Sequence, residues 1–440
     1  MTRHQSIVLA QSAPMASDPL RRMGLVGRLV SSNRYVLGLG LILAVALPDL
    51  LRLSLAQDGK SLVDVSRSIA IEPGHLLSAA AITAAHLSLR RMGMLPLVTA
   101  RSLILPTLLV AFGCAMLAAA VLELVYSAFH IWTSFTISFV WYLAIVVLRG
   151  RYLRPVVGMI GVPPGLLASL PSTILWQRID KPKLDKPIAA AVVDPHGEID
   201  LTWSKFIANL VLGGVPVYHL SQFEETLTGK VYFTHHADNN FGALLPSLLY
   251  LRFKRGLDLL GCIIALPFAI GILAAAALAI RLDSPGPVLF KQPRTGFRGK
   301  TFLCYKLRTM THGHAGPAFT KEEDPRITRV GAVLRRLRID ELPQLFNIIR
   351  GEMSWIGPRP EAVSLAEEYS AHVPFYDYRH AVRPGISGWA AVHQGNVANV
   401  DAAKEKLAYD FFYIKYFSVW LDLLIVIKTA RTVLTGFGAR

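Results

Sequence analysis

Four apolar stretches in the first third of the chain, at about 35–55, 75–89, 102–125 and 129–148, limit its fold more than any other feature. Each is long enough, or nearly so, to carry a helix across a hydrocarbon core about 30 Å thick. The second, rich in alanine and interrupted by His86, is the weakest. Composition agrees with a membrane class, since 52% of residues are hydrophobic and only 17% charged. Arg21, Arg22, Arg28 and Arg34 precede the first stretch, Arg90, Arg91 and Arg101 lie between the second and third, and Arg149, Arg151 and Arg154 follow the fourth. The connection between the third and fourth has neither Lys nor Arg, so the positive-inside rule predicts a cytoplasmic amino end and a cytoplasmic remainder after Arg149. Residues 1–34 read as a cytoplasmic tail, because the apolar run from Ile7 to Ala10 is too short for a signal peptide.

A formal charge of +16 suits anionic lipid, nucleic acid or phosphorylated small substrates equally well. Cys114, Cys262 and Cys304 form no CxxC pair, which argues against a disulfide framework or a zinc centre. Between 151 and 249 short apolar runs alternate with Pro, Gly and Asp, the pattern of a small α/β domain. Its opening glycines, Gly158, Gly161 and Gly165, do not have GxGxxG spacing, and Pro163 and Pro164 occupy the turn. A structural or regulatory module is expected there rather than a nucleotide site.

The apolar run 256–281 has Lys254 and Arg255 before it and Arg281 at its end. Basic residues at both ends favour a helix that enters and leaves on one side, with Pro267 supplying the break. A proline-kinked fifth span is the alternative. Residues 409–434 mix Phe411, Phe412, Tyr413 and Trp420 with Lys415, Lys428 and Arg431, and predict a helix lying in the interface.

The polar segment between them holds the chemistry. Lys306 and Arg308 alternate with apolar residues along a predicted strand. Val330, Val333, Leu334 and Leu337 have helical spacing and leave Arg335, Arg336 and Arg338 as a positive surface just before Asp340 and Glu341. Pro343 is tolerated in a first helical turn, so Asp340 is expected to cap a helix ending near Gly351. Helix dipole and arginines would both lower carboxylate pKa values there, against mutual repulsion. Such carboxylates can attack phosphorus, hold magnesium or orient either, with Arg359 neutralising phosphate oxygens. Helix physics alone allows equally that Asp340 is only a cap.

The segments Lys254-Arg255-x-x-Asp258, Ser284-Pro-Gly-Pro-Val288, Tyr305-Lys-Leu-Arg-Thr-Met310, Asp340-Glu341-Leu-Pro-Gln-Leu345, Gly357-Pro-Arg-Pro360 and Arg383-Pro-Gly-Ile-Ser-Gly-Trp389 occur in the order found in the bacterial sugar transferases. More narrowly, the chain resembles the polyprenyl-phosphate hexose-1-phosphate transferases, the large monotopic phosphoglycosyl transferases. The resemblance implies a four-helix transmembrane bundle at 35–150 and a degenerate Rossmann-like α/β domain at 151–249. It further implies a catalytic domain at 250–440 with a re-entrant membrane helix at 256–281 and interfacial helices. It implies transfer of hexose-1-phosphate from a UDP-sugar to undecaprenyl phosphate at the cytoplasmic face of a bacterial inner membrane, with UMP released and exopolysaccharide, capsule or O-antigen synthesis begun.

Carried over residue by residue, the resemblance makes Asp340 the nucleophile and Glu341 its partner, both able to hold Mg2+. It gives Arg335, Arg359, Lys306 and Arg308 to substrate phosphates, and Lys254, Arg255, Asp258 and Pro267 to the lipid-facing helix. No nucleic acid is expected as partner; a homodimer is one assembly open to the chain. Arg338-Ile339 stands where the family usually has Ser-Leu, and Glu352 where Asp is usual. His312 and His314 form an H-x-H pair without a third ligand nearby, too little for a metal site. A non-enzymatic scaffold for polysaccharide export and a transporter are the competing readings, the second weakened by a carboxyl half without spanning helices.

Overall fold

The structure, a computed structural model, describes residues 30–55, 73–93, 100–152, 156–162, 174–184, 187–194, 200–232, 246–311, 324–394 and 400–435. Most of the amino-terminal tail, Pro163 to Gly165 and the His312–His314 pair lie outside them. The chain divides into two compact units, Met1–Thr228 and Gly229–Arg440.

The first unit opens with helices α1 (Asn33–Leu55), α2 (Pro73–Met92), α3 (Ala100–Val121) and α4 (Ala128–Tyr152). At 1.5 Å per residue the 23 residues of α1 reach about 35 Å, enough to cross a bilayer core. By length and composition α1, α3 and α4 suit a membrane, whereas α2 is less apolar. The deficit sits on its inner face. Ser78, Ala81, Ile82, Ala85 and His86 are buried, and His86 Nδ1 lies 3.2 Å from the Tyr142 hydroxyl. A polar, small-residue face is tolerated in such a bundle when other helices, not lipid, cover it. Arg149 ties the start of α1 to the end of α4, donating to the Val30 carbonyl at 3.0 Å and to Asn33 Oδ1 at 2.7 Å.

The same unit carries a parallel sheet of β1 (Val156–Ile160), β2 (Leu175–Arg178), β3 (Ala190–Val193) and β4 (Val217–His219), in the order β2-β1-β3-β4. Helix α5 (Leu201–Leu212), capped by Asp200, covers Ile160, Ala191 and Val193 through Leu210, and Phe223 of α6 (Leu220–Thr228) packs against Val157, Ala190 and Val192. Burial on both faces explains why the central strands β1 and β3 read as unbroken apolar runs.

The second unit is organised along α7 (Leu248–Asp283), capped by Ser247 and helical through Pro267. It begins before the expected 256 because Tyr250 and Lys254 have partners in the same unit: both reach Asp422 Oδ2, at 2.7 and 2.6 Å. An antiparallel hairpin of β5 (Leu289–Thr295) and β6 (Thr301–Leu307) follows. Then come α8 (Arg329–Arg336), a 3-10 turn at Ile339–Glu341, α9 (Gln344–Arg350), β7 (Ser354–Ile356), α10 (Val363–His372), β8 (Gly385–Ser387), α11 (Val400–Lys415) and α12 (Val419–Thr435). Strands β7 and β8 pair in parallel.

Two expectations are corrected here. The aromatics at 409–434 do not form one interfacial helix. They divide between α11 and α12, and Phe411, Phe412, Tyr413 and Phe417 are buried in the protein, with the Tyr413 hydroxyl donating to Asp422 Oδ1 at 2.7 Å. Nor does Asp340 cap a helix: α9 starts at Gln344, after Pro343, and Asp340 stands one turn upstream. The reason is Arg338, whose left-handed backbone (φ 58°) breaks the chain between α8 and the 3-10 turn. The expected end does hold, since Gly351 closes α9 in the left-handed conformation at φ 81°.

Candidate active site

Asp340 and Glu341 are both buried, at 7% and 4% exposure, and the fold gives them opposite surroundings. Glu341 Oε1 meets three cations: Arg359 Nη2 at 2.6 Å, Lys306 Nζ at 3.2 Å and Arg338 Nη1 at 3.6 Å. Burial alone would raise its pKa. Arg359 and Lys306 more than reverse that, and the Glu341 carboxyl is held well below the usual carboxylate range. Asp340 Oδ1 is buried without a hydrogen-bond partner. Burial first, and then the charge of Glu341, push the Asp340 carboxyl above its ordinary value, although Lys306, Arg359 and Arg338 oppose this. The expectation that both carboxylates are lowered therefore holds for Glu341 alone. The helix dipole acts from a full turn away, and desolvation outweighs it at Asp340.

Each cation reaches the dyad from a different element. Lys306 comes from β6, whose hairpin is locked by Asn347 of α9: its side chain accepts from Tyr305 N at 3.1 Å and donates to the Leu303 carbonyl at 2.7 Å. Arg359 lies between two prolines, and its own carbonyl accepts from Arg379 Nη2 at 2.9 Å. Arg379 is fixed in turn by the fully internal Asp410 at 2.8 Å, and by Glu361 at 3.8 Å, which Lys406 also pairs. Burial lowers the Lys306 pKa despite Glu341, whereas the charge of Glu341 raises that of Arg359. Arg335 Nε donates to Thr309 Oγ1 at 2.8 Å, and the charge of Asp340 is felt at its guanidinium. Gly331 makes that contact between α8 and the segment after β6 feasible: any Cβ there would collide with the Thr309 carbonyl.

Arg308 is placed elsewhere. Its guanidinium donates to the carbonyls of Pro285, Ile280 and Ser284, at 2.5, 3.3 and 2.6 Å, and so closes the carboxyl end of α7. The basic opening of α7 is likewise turned inward. Lys254 pairs with Asp422, Arg255 donates to the carbonyls of Ile348 and Ile349, and Asp258 accepts from Ser354 Oγ and Trp355 N. The side chains of Lys254, Arg255 and Asp258 thus have partners within their own unit. Gly261 lets Trp355 seat against the helix, and Pro267 alone of the expected set is exposed.

Magnesium takes oxygen donors. The orphaned Asp340 Oδ1 fits that requirement, whereas Glu341 Oε1 is already matched by three positive groups. Sequence reading missed Asn347, Arg379 and Asp410, and placed Arg338 in the basic surface without its pairing to Glu341. Their roles depend on a left-handed turn and on pairings across 31 or more residues for Arg379 with Asp410 and Asn347 with Leu303, which no local pattern encodes.

Helices suited to a bilayer, joined to a unit with a buried acid between cations, define a membrane protein equipped to act on anionic groups. Residues 249–436 match the family described as bacterial sugar transferase. A UDP-N-acetylgalactosamine-undecaprenyl-phosphate N-acetylgalactosaminephosphotransferase of Aeromonas hydrophila is 42% identical over 340 residues, 76% of this chain and 80% of that protein. A UDP-glucose:undecaprenyl-phosphate glucose-1-phosphate transferase of Caulobacter vibrioides (strain ATCC 19089 / CIP 103742 / CB 15) is 43% identical over 202 residues, 45% of this chain and 76% of that protein. The chain belongs to the bacterial sugar transferase family.

Proposed function

We propose that the protein transfers hexose-1-phosphate from a UDP-sugar to undecaprenyl phosphate, giving undecaprenyl-diphosphate-hexose and UMP. The single observation that carries this reading is the pairing of Asp340, with a buried unpartnered oxygen, and Glu341, whose charge three cations hold in place. The relatives named for this reaction type support it. In the first step an Asp340 oxygen attacks the sugar-linked phosphorus. The bond from that phosphorus to the bridging oxygen breaks, and UMP leaves with the electron pair. In the second, an oxygen of undecaprenyl phosphate attacks the same phosphorus, the aspartyl bond breaks and the carboxylate returns.

A carboxylate of raised pKa is the more basic, stronger nucleophile once ionised. Arg359, Lys306 and Arg335 are the residues that neutralise phosphate oxygens as charge builds. Magnesium bound at Asp340 would supply further positive charge to the phosphate oxygens. Arg308 keeps the end of α7 in register and acts on phosphate only through that.

The reading extends to topology. The first turns of α7 pair with Asp422 and Ser354, while its last turns, through Ala276 and Ile280, pack on Leu307 and Leu334 of the same unit. Leu260, Ile263, Ile264, Phe268 and Ile270 between them are exposed and apolar. That supports a re-entrant helix dipping into one leaflet, with the catalytic unit on the cytoplasmic face of the inner membrane. The parallel order β2-β1-β3-β4 supports a degenerate Rossmann-like fold for the middle domain.

The test is intact-mass measurement of the purified enzyme mixed with UDP-GalNAc or UDP-glucose and Mg2+, without lipid phosphate. A hexose-phosphate adduct should form, disappear on adding undecaprenyl phosphate, and be absent from Asp340→Asn. Turnover by Asp340→Asn at the wild-type rate would overturn the covalent route. Cysteines placed at 246 and 284 that label from opposite sides of the membrane would overturn the re-entrant one.

A further inference from the structure

Asp49 near the end of α1, His75 in the first turn of α2 and His130 in the first turn of α4 converge at one end of the bundle. Arg34, Arg90, Arg101 and Arg149 belong to the opposite ends of these helices and of α3. Asp49 Oδ2 lies 2.6 Å from His75 Nε2 and Asp49 Oδ1 lies 3.2 Å from His130 Nδ1. One nitrogen from each ring and a carboxylate oxygen all fall within 4.8 Å of one another, with the ring centroids 4.5 Å apart. Buried Gly74 lies close to the start of α4: a Cβ there would stand in ordinary contact with Tyr126 and His130. Ionisable groups are costly in bilayer helices and tend to be retained for a task.

We propose that this cluster is a binding site for a divalent transition metal, zinc or a cation of similar preference. Two imidazole nitrogens and one carboxylate are a donor set that zinc accepts at neutral pH, with a fourth position for water. The nitrogen ligands disfavour magnesium, which separates this site from the Asp340 oxygen. In the metal-free arrangement His75 Nε2 and His130 Nδ1 must each hold a proton to bond the one carboxylate. A metal at their meeting point takes the lone pairs of those two nitrogens, and the proton of each ring then sits on its other nitrogen. Exposures of 13% for the His75 side chain and 23% for that of Asp49 leave the cluster open to exchange, while His130 at 4% forms its floor. Arg52, one turn beyond Asp49, points to solvent and does not enter the donor set. The bound ion would clamp three helices at one point.

The experiment uses the full chain in detergent, stripped with chelator and dialysed against Zn2+ or Co2+. Mass spectrometry of bound metal should give about one ion per chain, and the Co2+ form should display the visible absorption of a four-coordinate nitrogen–oxygen site. Asp49→Asn and His130→Gln should lose both signals while UMP release persists. Metal bound undiminished in both variants, or no Co2+ band in the wild type, overturns the proposal. Should the variants not fold, carbethoxylation of His75 and His130 in the wild type decides it. Zn2+ should cut labelling at both at least about tenfold at saturating metal; unchanged labelling means a metal-free hydrogen-bonded triad and refutes the site.

Discussion

Replacing Asp340 by Asn should make the protein more stable and inactive at once. The two competing roles of this residue predict opposite signs. A capping aspartate contributes stability, so its loss would cost about 0.5–2 kcal/mol. The geometry says otherwise: Asp340 Oδ1 is buried without a partner, next to the permanently charged Glu341. A carboxyl whose pKa is raised in the fold favours the folded state only while protonated. That contribution is present below the unfolded pKa and is lost as pH rises through the folded one. At neutral pH the ionised form is therefore a burden, of about 1–2 kcal/mol if it resembles an unsatisfied buried polar group. For a unit of this size that is a rise of about 2–8 °C in melting temperature for Asp340→Asn. The advantage should shrink on acidification, as the wild type becomes protonated and matches the neutral amide. Turnover should fall at least about 10³-fold, since the proposed reaction makes Asp340 the nucleophile and an amide cannot take its place. Thermal unfolding in detergent from pH 4 to 8, paired with UMP release, measures both. A variant less stable than wild type at pH 7 that still turns over would refute the reasoning and restore the capping role.

Arg359→Lys keeps the charge but not the fork that holds Glu341 at 2.6 Å, and should cost about 10–100-fold in kcat/KM (about 1.4–2.7 kcal/mol) with the fold intact by circular dichroism. Arg308→Ala should lower the melting temperature by removing about 1–3 kcal/mol of bonding to the last carbonyls of α7. The UDP-sugar KM of the folded fraction should stay within about threefold of wild type; a large KM rise at unchanged stability would return Arg308 to the phosphate site. Lys254→Met should cost about 3–5 kcal/mol by stranding Asp422 in the interior, and Lys254→Met with Asp422→Leu should recover most of it. Additive losses in that cycle would mean the two residues act separately.

The parts of this fold that were legible are those written locally. Three of the spans, the strands at 156–160 and 190–193, and the glycine stop at 351 all follow from runs or single residues. Helix α2 was faint because its polar residues face protein, and hydropathy along the chain cannot tell an inner face from an outer one. Residues 409–434 misled for a related reason. Aromatics mixed with lysines look amphipathic to the eye, yet Tyr413 and Phe412 are core residues and Asp422 is the partner of Lys254. At the site, residue identity was readable and orientation was not. Arg308 and Lys306 sit two apart in the sequence, but one caps a helix and the other meets Glu341, because β6 ends between them.

What the sequence presents as a symmetrical pair of acids is an asymmetric device in the fold. Arg335, Arg338, Lys306 and Arg359 supply four positive charges, and Glu341 with ionised Asp340 two negative, which leaves two positive charges at the site. A diphosphate diester brings about two negative charges at neutral pH. On the proposed reaction the donor therefore neutralises the pocket on arrival, and attack by ionised Asp340 then places charge on oxygens that the same cations already face. Glu341 is needed for this balance without touching phosphorus. It keeps three cations together in a buried space where, unpaired, they would repel one another and pull the Asp340 carboxyl down to a weaker nucleophile. Glu341→Gln should accordingly shift the acid limb of the pH–rate profile to lower pH, because Asp340 loses its negative neighbour and keeps the cations, and should slow the plateau. A limb that stays where it was, or moves upward, would mean that Glu341 does not set the ionisation of Asp340.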